Sequence, residues 1–491
     1  MNTSNTYNLY INGKWILSES GQTFERVNPA NYHQVLGKFQ QGNEKDVDKA
    51  VDAAEKTFEK WSSTPAPKRG KILFKAAQLL EVQKENLAKI MTTEMGKVLS
   101  ESMGDVQEAI DMAYFIAGEG RRLYGYTTPS ELREKFAMAI RRPIGIVGLI
   151  TPWNFPVAIP SWKLFPALIC GNTVVFKPSS DTPMCAIELV KILEKAGIPP
   201  GVVNLVTGPG EKVGISIVRN KKVRAISFTG NRETGLQITK EAGTKRVGLE
   251  MGGKNPIIIM DDADLELALK GVIWGAFGTT GQRCTAASRV ILHKQIKRKF
   301  ETLLIDRARK LKLGPGILPS TEVGPLVNKA AQEKSQKYVE IGLKEGAKLK
   351  LGGKSPELPG FFFQPTVFCD ATPNMKIAQE EIFGPVVSLL TAENIEEAIE
   401  IANSIEYGLS SSIYTKDINS AFKAIEKLDS GITYINASTI GAEIHLPFGG
   451  VKGTGNGTRE GGMQAIEEFS EWKAVYFDYS GKLQRAQIDM D

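Results

Sequence analysis

Ile144-Gly145-Ile146-Val147-Gly148-Leu149-Ile150-Thr151-Pro152-Trp153-Asn154-Phe155-Pro156 decides how the rest of the chain is read. From Ile144 to Trp162 the chain runs 19 residues without a charge, long enough to cross a bilayer as a helix. Pro152, Pro156 and Pro160 punctuate it, with Asn154 between them. Prolines at that spacing break a helix, so the stretch predicts a buried strand at 144–150 followed by a loop. Downstream the same grammar repeats. Apolar runs at Thr173–Phe176, Val202–Val206, Ala225–Phe228 and Pro256–Met260 alternate with helical stretches. One helix opens at Asp181-Thr182-Pro183 and ends near Gly197, one starts at about Gly210, and one covers Arg232–Ala242. Strands separated by helices of 10–15 residues predict a parallel sheet covered on both faces, an α/β fold. Ligands of such sheets lie at the carboxyl ends of the strands, so the turns after 150, 176, 206 and 228 are where chemistry is expected.

The flanks add two further regions. Asn8–Trp15 reads as a hairpin turning at Asn12-Gly13. Val47, Val51, Ala54, Phe58 and Trp61 recur at helical spacing behind the capping candidate Asn43, and more helix is expected from Lys68 to about Gly120 with a turn at Met95-Gly96. Beyond 260 the α/β alternation continues more loosely, and Ala474–Tyr479 predicts a strand outside the compact body, suited to pairing with another chain. A chain of 491 residues implies two or three domains.

Composition excludes several classes. The charge of +6 comes from 61 basic and 55 acidic residues spread evenly, with no basic tail or aromatic-interleaved stripe to hold nucleic acid. Cys170, Cys185, Cys284 and Cys369 form no C-x-x-C pair and only three histidines are present, so neither a disulfide framework nor a metal site is expected. Met1–Tyr7 has no basic or apolar leader pattern. A reducing cytoplasm and no membrane association fit best.

Gly281-Gln282-Arg283-Cys284 carries the sharpest chemical signal. A cysteine is a strong nucleophile as thiolate, and Glu250, in Leu249-Glu250-Met251-Gly252-Gly253-Lys254, is a carboxylate able to take a proton from it or from water. Alone, Cys284 would read as a buried structural thiol. Asn154, on the loop after the first strand, is a candidate oxyanion donor. Lys177, in Lys177-Pro178-Ser179-Ser180, could reach ribose hydroxyls. Gly208-Pro209-Gly210 with Gly214 is a weak phosphate loop; Phe228-Thr229-Gly230-Asn231-Arg232-Glu233-Thr234-Gly235, ending a strand and opening a helix, is a better one. Gly248–Asn255 imitates a nucleotide-binding P-loop, but its last position is Asn255 instead of a hydroxyl residue and Pro256 follows at once, which suits a strand entry.

These segments together resemble the NAD(P)-dependent aldehyde dehydrogenases over essentially the whole chain. Pro152–Pro156, Lys177–Ser180, Phe228–Gly235, Leu249–Gly253, Gly281–Cys284, Glu380-Glu381-Ile382-Phe383-Gly384-Pro385 and Pro447-Phe448-Gly449-Gly450 occur in that family's order and with similar spacing. The resemblance implies a variant Rossmann cofactor domain (1–125 and 144–250), an α/β catalytic domain (251–462) and a small β bridging region (126–143 and 463–491) that builds a homodimer or homotetramer. It implies Cys284 as nucleophile, Glu250 as base and Asn154 as oxyanion donor. It also implies NADP or NAD on Trp153, Lys177, Ser179, Ser180, Gly210, Gly214, Phe228, Thr229, Gly230, Asn231, Leu249, Glu381 and Phe383, with no role assigned to Met251. The substrate is a small aldehyde and no metal is called for. Asn231 departs from the serine usual in that loop. Ser180 stands where NAD-preferring members carry glutamate, which points to NADP, although Asp181 could turn inward instead. Gly118–Arg122 and Asn436–His445 are similar to bacterial 2-oxoglutarate semialdehyde dehydrogenases, whereas Trp162 stands where some succinic semialdehyde enzymes carry arginine; Arg121, Arg122 and His445 are candidate substrate contacts. A CoA-dependent relative would lack Glu250, a cysteine hydrolase would need one of His33, His293 or His445, and a non-enzymatic role would leave the catalytic set unexplained.

Overall fold

The computed structural model describes residues 5–489; residues 1–4 of the N-terminal stretch, and 490–491 of the expected bridging region, lie outside them. Two seven-stranded sheets dominate. The first runs in the order Arg246–Glu250, Val223–Thr229, Ile146–Ile150, Thr173–Lys177, Val203–Leu205, Leu9–Ile11, Lys14–Ile16. Its first five strands are parallel, and the Leu9–Ile16 hairpin joins antiparallel through Leu205 and Tyr10. The hairpin turns at Asn12 and Gly13, both at positive φ, the combination such a tight turn requires.

Alternate residues of each parallel strand point into different cores. Val147, Leu149, Val174 and Phe176 pack with the helices Ala66–Met95, Leu99–Glu119 and Pro183–Ala196. Ile146, Ile150 and Val175 face the opposite core with Val47, Val51 and Ile238. With both faces covered, the strands read as continuous apolar runs, and each fully buried aliphatic side chain contributes about 1.5–3 kcal/mol. The chain order steps from Ile146–Ile150 outward on one side, then crosses to Val223–Thr229 on the other. The crevice between these two strands is the switch point where such sheets bind ligands.

The second sheet, Lys348–Leu351, Thr366–Cys369, Val386–Ala392, Ala287–His293, Asn255–Ile259, Ser410–Tyr414, Ile432–Ile435, is parallel except at its first strand. Residues 251–254 connect the edge strand of the first sheet, ending at Glu250, to an interior strand of the second, starting at Asn255.

Several expectations change. The stretch after Ile150 is not loop throughout: a helix spans Ala158–Ile169, with Pro160 in its first turn, where the missing N–H would have had no partner anyway. The helical stretch over 68–120 does turn at Met95-Gly96 as expected, forming two helices, Ala66–Met95 and Leu99–Glu119, divided by Gly96 at φ +100. The helix expected at Gly210 starts with a π turn, Gly210–Gly214, and continues only as Ile215–Arg219. Arg246–Glu250, not anticipated, is a strand, so the imitation P-loop is strand and crossover. The C-terminal strand is longer than expected, Ser470–Asp478, and pairs with Lys135–Pro143 of its own chain. Together with Tyr126–Pro129 they form a separate three-stranded sheet.

Candidate active site

The turn that presents Cys284 is strained and tightly held. Thr279, Thr280 and Gly281 occupy the left-handed region in succession, at φ 50, 58 and 69. For the two threonines this costs on the order of 1–3 kcal/mol each, offset by fixed partners. Glu101 accepts from the Thr279 N–H at 2.8 and 3.0 Å and from its hydroxyl at 3.1 Å. Thr280 Oγ1 donates to the Gly324 carbonyl at 3.0 Å, and Gln282 Oε1 accepts from the Val327 N–H at 2.9 Å. Gly281 has no alternative, because a Cβ there would collide with the Gly384 carbonyl. Asn255 Nδ2 donates to the Cys284 carbonyl at 2.7 Å, and Gly253 leaves room for that carbonyl. The Cys284 backbone is thus fastened to the segment that follows Glu250.

Cys284 lies where two cavities meet. One is a cleft at the carboxyl ends of the first sheet; the other is a funnel on the far side. Thr229, Met251 and Cys284 line both. Burial, then the charges of Glu381 and Glu250, push the Cys284 thiol up to about 12, so it rests protonated. Glu250, buried in the funnel wall, makes no hydrogen bond through either carboxylate oxygen. Burial first, then Glu460, raises its carboxyl well above the ordinary range, against the pull of Lys163. A buried carboxyl left unpartnered demands an explanation, and its surroundings are shaped for it. Gly449 sits at φ +150, and a Cβ there would lie 2.5 Å from Glu250 Oε1. That is what the Pro447–Gly450 segment does. Behind Glu250, the fully buried Lys163 pairs with Glu460 and donates to Ser227 Oγ at 2.9 Å. Asn154 is buried, lines the cleft, and its carboxamide has no partner among the described residues.

The cleft fits a dinucleotide. It opens at the carboxyl ends of three parallel strands, whose last residues Ile150, Lys177 and Thr229 all line it. Trp153, Asn154, Lys177, Ser179, Gly210, Phe228, Thr229, Gly230, Asn231, Glu381 and Phe383 all line it. The Thr229 hydroxyl is buried without a partner, and the helix Arg232–Ala242 begins there, presenting free N–H groups to an anion. Lys177 is buried at its strand end, its ammonium brought down to about 8 by desolvation. Gly252 is required because a Cβ would strike the Glu381 carboxylate, which accepts the Gly253 N–H at 2.9 Å. Phe383, at φ 62, meets Trp153 edge to face at 5.4 Å. Asn231 caps its helix by accepting the Thr234 N–H at 2.8 Å, which leaves only its amide N–H groups for a phosphate. Three expected contacts lie outside the lining. Ser180 Oγ donates to the Gly208 carbonyl at 3.0 Å, Gly214 packs behind Lys177, and Leu249 is in the core. Asp181 turns away from the cleft to Arg26 at 2.9 Å and Asn328 at 3.2 Å.

The funnel is walled by Phe155, Ile159, Trp162, Leu409, Ile440 and Phe448, with the charged side chains Glu108, Glu250, Arg283 and Glu460. None of the sequence-level substrate candidates is there. Arg122 pairs with Glu119, Arg121 is exposed, and His445 is exposed beside Glu443 at 3.3 Å. Sequence reading missed Glu108, whose helix gives no local hint of a pocket. It also missed Arg283, although that residue adjoins Cys284.

Comparison with known proteins places this geometry. The sequence profile described as the aldehyde dehydrogenase family matches residues 15–475. An α-ketoglutaric semialdehyde dehydrogenase of Bacillus subtilis is 41% identical over 478 residues, covering 96% of this chain and 98% of the relative. An α-ketoglutarate semialdehyde dehydrogenase of Haloferax volcanii is 42% identical over 477 residues, covering 96% and 98%. A betaine aldehyde dehydrogenase from Staphylococcus aureus, solved in complex with NAD+, superposes with a TM-score of 0.95 at 37% identity, covering 97% of this chain and 95% of that one. The chain belongs to the aldehyde dehydrogenase family. It is an NAD(P)-dependent enzyme that oxidises an aldehyde to the carboxylic acid.

Proposed function

We propose that Cys284, Glu250 and Asn154 carry the chemistry. The supporting observation is the junction itself: a cleft at the carboxyl ends of the first sheet and an apolar funnel meet at Cys284, and an unpartnered carboxyl, Glu250, stands in the wall. A nicotinamide cofactor, when bound, supplies the hydride acceptor. The chain does the rest. Glu250, in its ionised minority form, takes the thiol proton as Cys284 Sγ bonds to the aldehyde carbon. The carbonyl oxygen gains charge within reach of donors that need no reorganisation, the Asn154 amide and the Cys284 N–H. Loss of hydride leaves a thioester on Cys284. Glu250 then accepts a proton from water, whose oxygen bonds to the acyl carbon as the C–S bond breaks. None of His33, His293 and His445 lines either cavity, which disfavours a cysteine–histidine hydrolase.

NADP+ serves at least as well as NAD+ in this reading. Among the described residues Glu381 is the only carboxylate lining the cleft, Asp181 is tied to Arg26 and Asn328, and Lys177 supplies positive charge. The substrate is a semialdehyde bearing a carboxylate, in keeping with the names of the relatives. Three sheets support a cofactor domain at 1–125 and 144–250, a catalytic domain at 251–462 and a bridging region at 126–143 and 463–491. Tyr126, Phe136, Trp472, Tyr476 and Phe477 are exposed on the small sheet, as are Ile418, Phe422 and Ile425 on a helix of the catalytic half; apolar exposure on that scale marks assembly into a homodimer or homotetramer. No helix among the described residues is long and apolar enough to cross a membrane, and four free cysteines suit the reducing cytoplasm. Following reduced-cofactor absorbance with a panel of aldehydes and both cofactors tests the reading; no signal with any aldehyde would overturn it.

A further inference from the structure

Among the described residues, Arg283 is the only cation lining the funnel. Its side chain is 11% exposed, so most of its hydration has been stripped, yet the protein returns little. Nε donates to Thr279 Oγ1 at 2.8 Å. Buried Glu101 forms an ion pair with Nη2 at 3.6 Å, too long for a direct hydrogen bond, and its oxygens accept from Thr279. A guanidinium has five N–H donors in a planar fork; the four on Nη1 and Nη2 make no hydrogen bond among the described residues. Phe155 and Trp274 flank the group, their ring centroids 5.3 and 4.7 Å from Cζ. Such flanking holds the plane while leaving its edge free.

Glu101, which lies outside the funnel lining, is its ion-pair partner; the funnel's own carboxyls add no second one. Glu460 is committed to Lys163. Glu250 is held protonated by burial, and Glu108, pushed up to about 8 chiefly by desolvation, is neutral at pH 7 as well. Lys97, a buried cation that also sits over the Phe155 ring, is matched by Asp105 at 2.8 Å and does not line the funnel.

We propose that the free edge of Arg283 is the receptor for an anionic group, a carboxylate, at the far end of the aldehyde. This rests on the reading of the chain as an aldehyde oxidiser through Cys284, and it deepens that reading by naming what selects the substrate. The arginine directly precedes the nucleophile, so one rigid turn fixes the distance between the reacting carbon and the bound anion. Trp162, in the same wall, supplies an indole N–H that is buried without a close partner and favours the ionised form of Glu108. It offers no positive charge, which leaves Arg283 alone in that role.

A purely structural Arg283, one that only pins the Thr279 turn, makes a different prediction, and matched substrates separate the two. The ratio of kcat/KM for 5-oxopentanoate to that for pentanal is measured in the native enzyme and in Arg283→Gln. The receptor role predicts that this ratio falls by about 10- to 100-fold, since a site built to hydrogen-bond a substrate group discriminates strongly on that group; Arg283→Lys, which keeps the charge but loses the fork, falls in between. Equal losses for both aldehydes, leaving the ratio unchanged, would overturn it. Should Arg283→Gln not fold, the native enzyme decides: the methyl ester of 5-oxopentanoate should have a KM at least about tenfold above that of the free acid, and equal KM values would overturn the proposal. Absence of turnover with every aldehyde would instead defeat the enzymatic reading itself.

Discussion

Glu250→Gln is the perturbation that reaches furthest into the mechanism. The change is nearly isosteric, and because neither Glu250 oxygen is hydrogen-bonded, no bond is lost and folding should be spared. The sign of the stability effect follows from the raised carboxyl. Below the ordinary carboxyl value of 4.5, folded and unfolded native chains are both protonated at this position and the variant has no advantage. As pH rises beyond 4.5 the unfolded chain ionises first, which disfavours the native fold relative to the glutamine variant until Glu250 itself ionises. The variant should therefore be slightly the more stable protein at neutral pH. Its catalysis should split. A positioned general base contributes about 10²–10⁴-fold, or about 3–5 kcal/mol of barrier at 1.36 kcal/mol per decade. With water taking the thiol proton in place of Glu250, acylation slows but still proceeds; losing the base from hydrolysis should then leave a burst of reduced cofactor approaching one per site, followed by a steady state lower by that factor. The alkaline rise of kcat that comes from ionising a raised carboxyl should vanish as well. Stopped-flow absorbance reads burst and steady state in one trace. Undiminished steady-state turnover without a burst would refute the assignment of Glu250 as hydrolytic base.

Gly449→Ala should imitate this change from outside. Its Cβ would lie 2.5 Å from Glu250 Oε1 and 2.8 Å from Arg459 Cδ at a φ of +150, so Glu250 must move; steady-state kcat should fall at least about tenfold with the burst retained, checked by the same trace. Ser179→Glu, at the serine that lines the cleft, should weaken NADP+ far more than NAD+, by about 1–3 kcal/mol of like-charge repulsion in a partly desolvated cleft, measured as the change in the ratio of kcat/KM for the two cofactors. Glu108 sits among Asp105, Lys97, Arg283 and the Trp162 N–H, with its carboxyl at about 8. It is neutral below that pH and anionic above, so KM for 5-oxopentanoate should climb above pH 8 while KM for pentanal stays level, and Glu108→Gln should flatten the climb in a pH series.

What the sequence disclosed were features with a local cause. The strands Ile146–Ile150, Thr173–Lys177 and Val223–Thr229 are continuous apolar runs because both faces are covered, and their end loops are where the cleft lies. Cys284, Glu250 and Asn154 stand in segments whose glycines and prolines mark tight turns. Features with a distant cause stayed hidden. Pro160 looked like a helix breaker because its place in a first turn depends on where the helix begins. Arg246-Val247-Gly248-Leu249 is too mixed to announce a strand; it is one because Ala225–Thr229 lies beside it. The C-terminal strand could not name its partner, Lys135–Pro143, more than three hundred residues away. Side-chain direction was equally invisible: Ser180 follows Lys177 at a telling interval, yet its hydroxyl is committed to Gly208. Glu108 and Arg283 share a funnel only through the packing of Leu99–Glu119 against the nucleophile turn.

The covalent intermediate on Cys284 is the most direct test. Glu250→Gln is mixed with 5-oxopentanoate and NADP+, quenched in acid during the burst, digested, and the peptide containing Cys284 weighed by mass spectrometry. The mechanism predicts a gain equal to the aldehyde less two hydrogens on that peptide alone, and neither adduct nor turnover in Cys284→Ala. A folded Cys284→Ala protein that still oxidises the aldehyde, or an acyl group found on another residue, would contradict it.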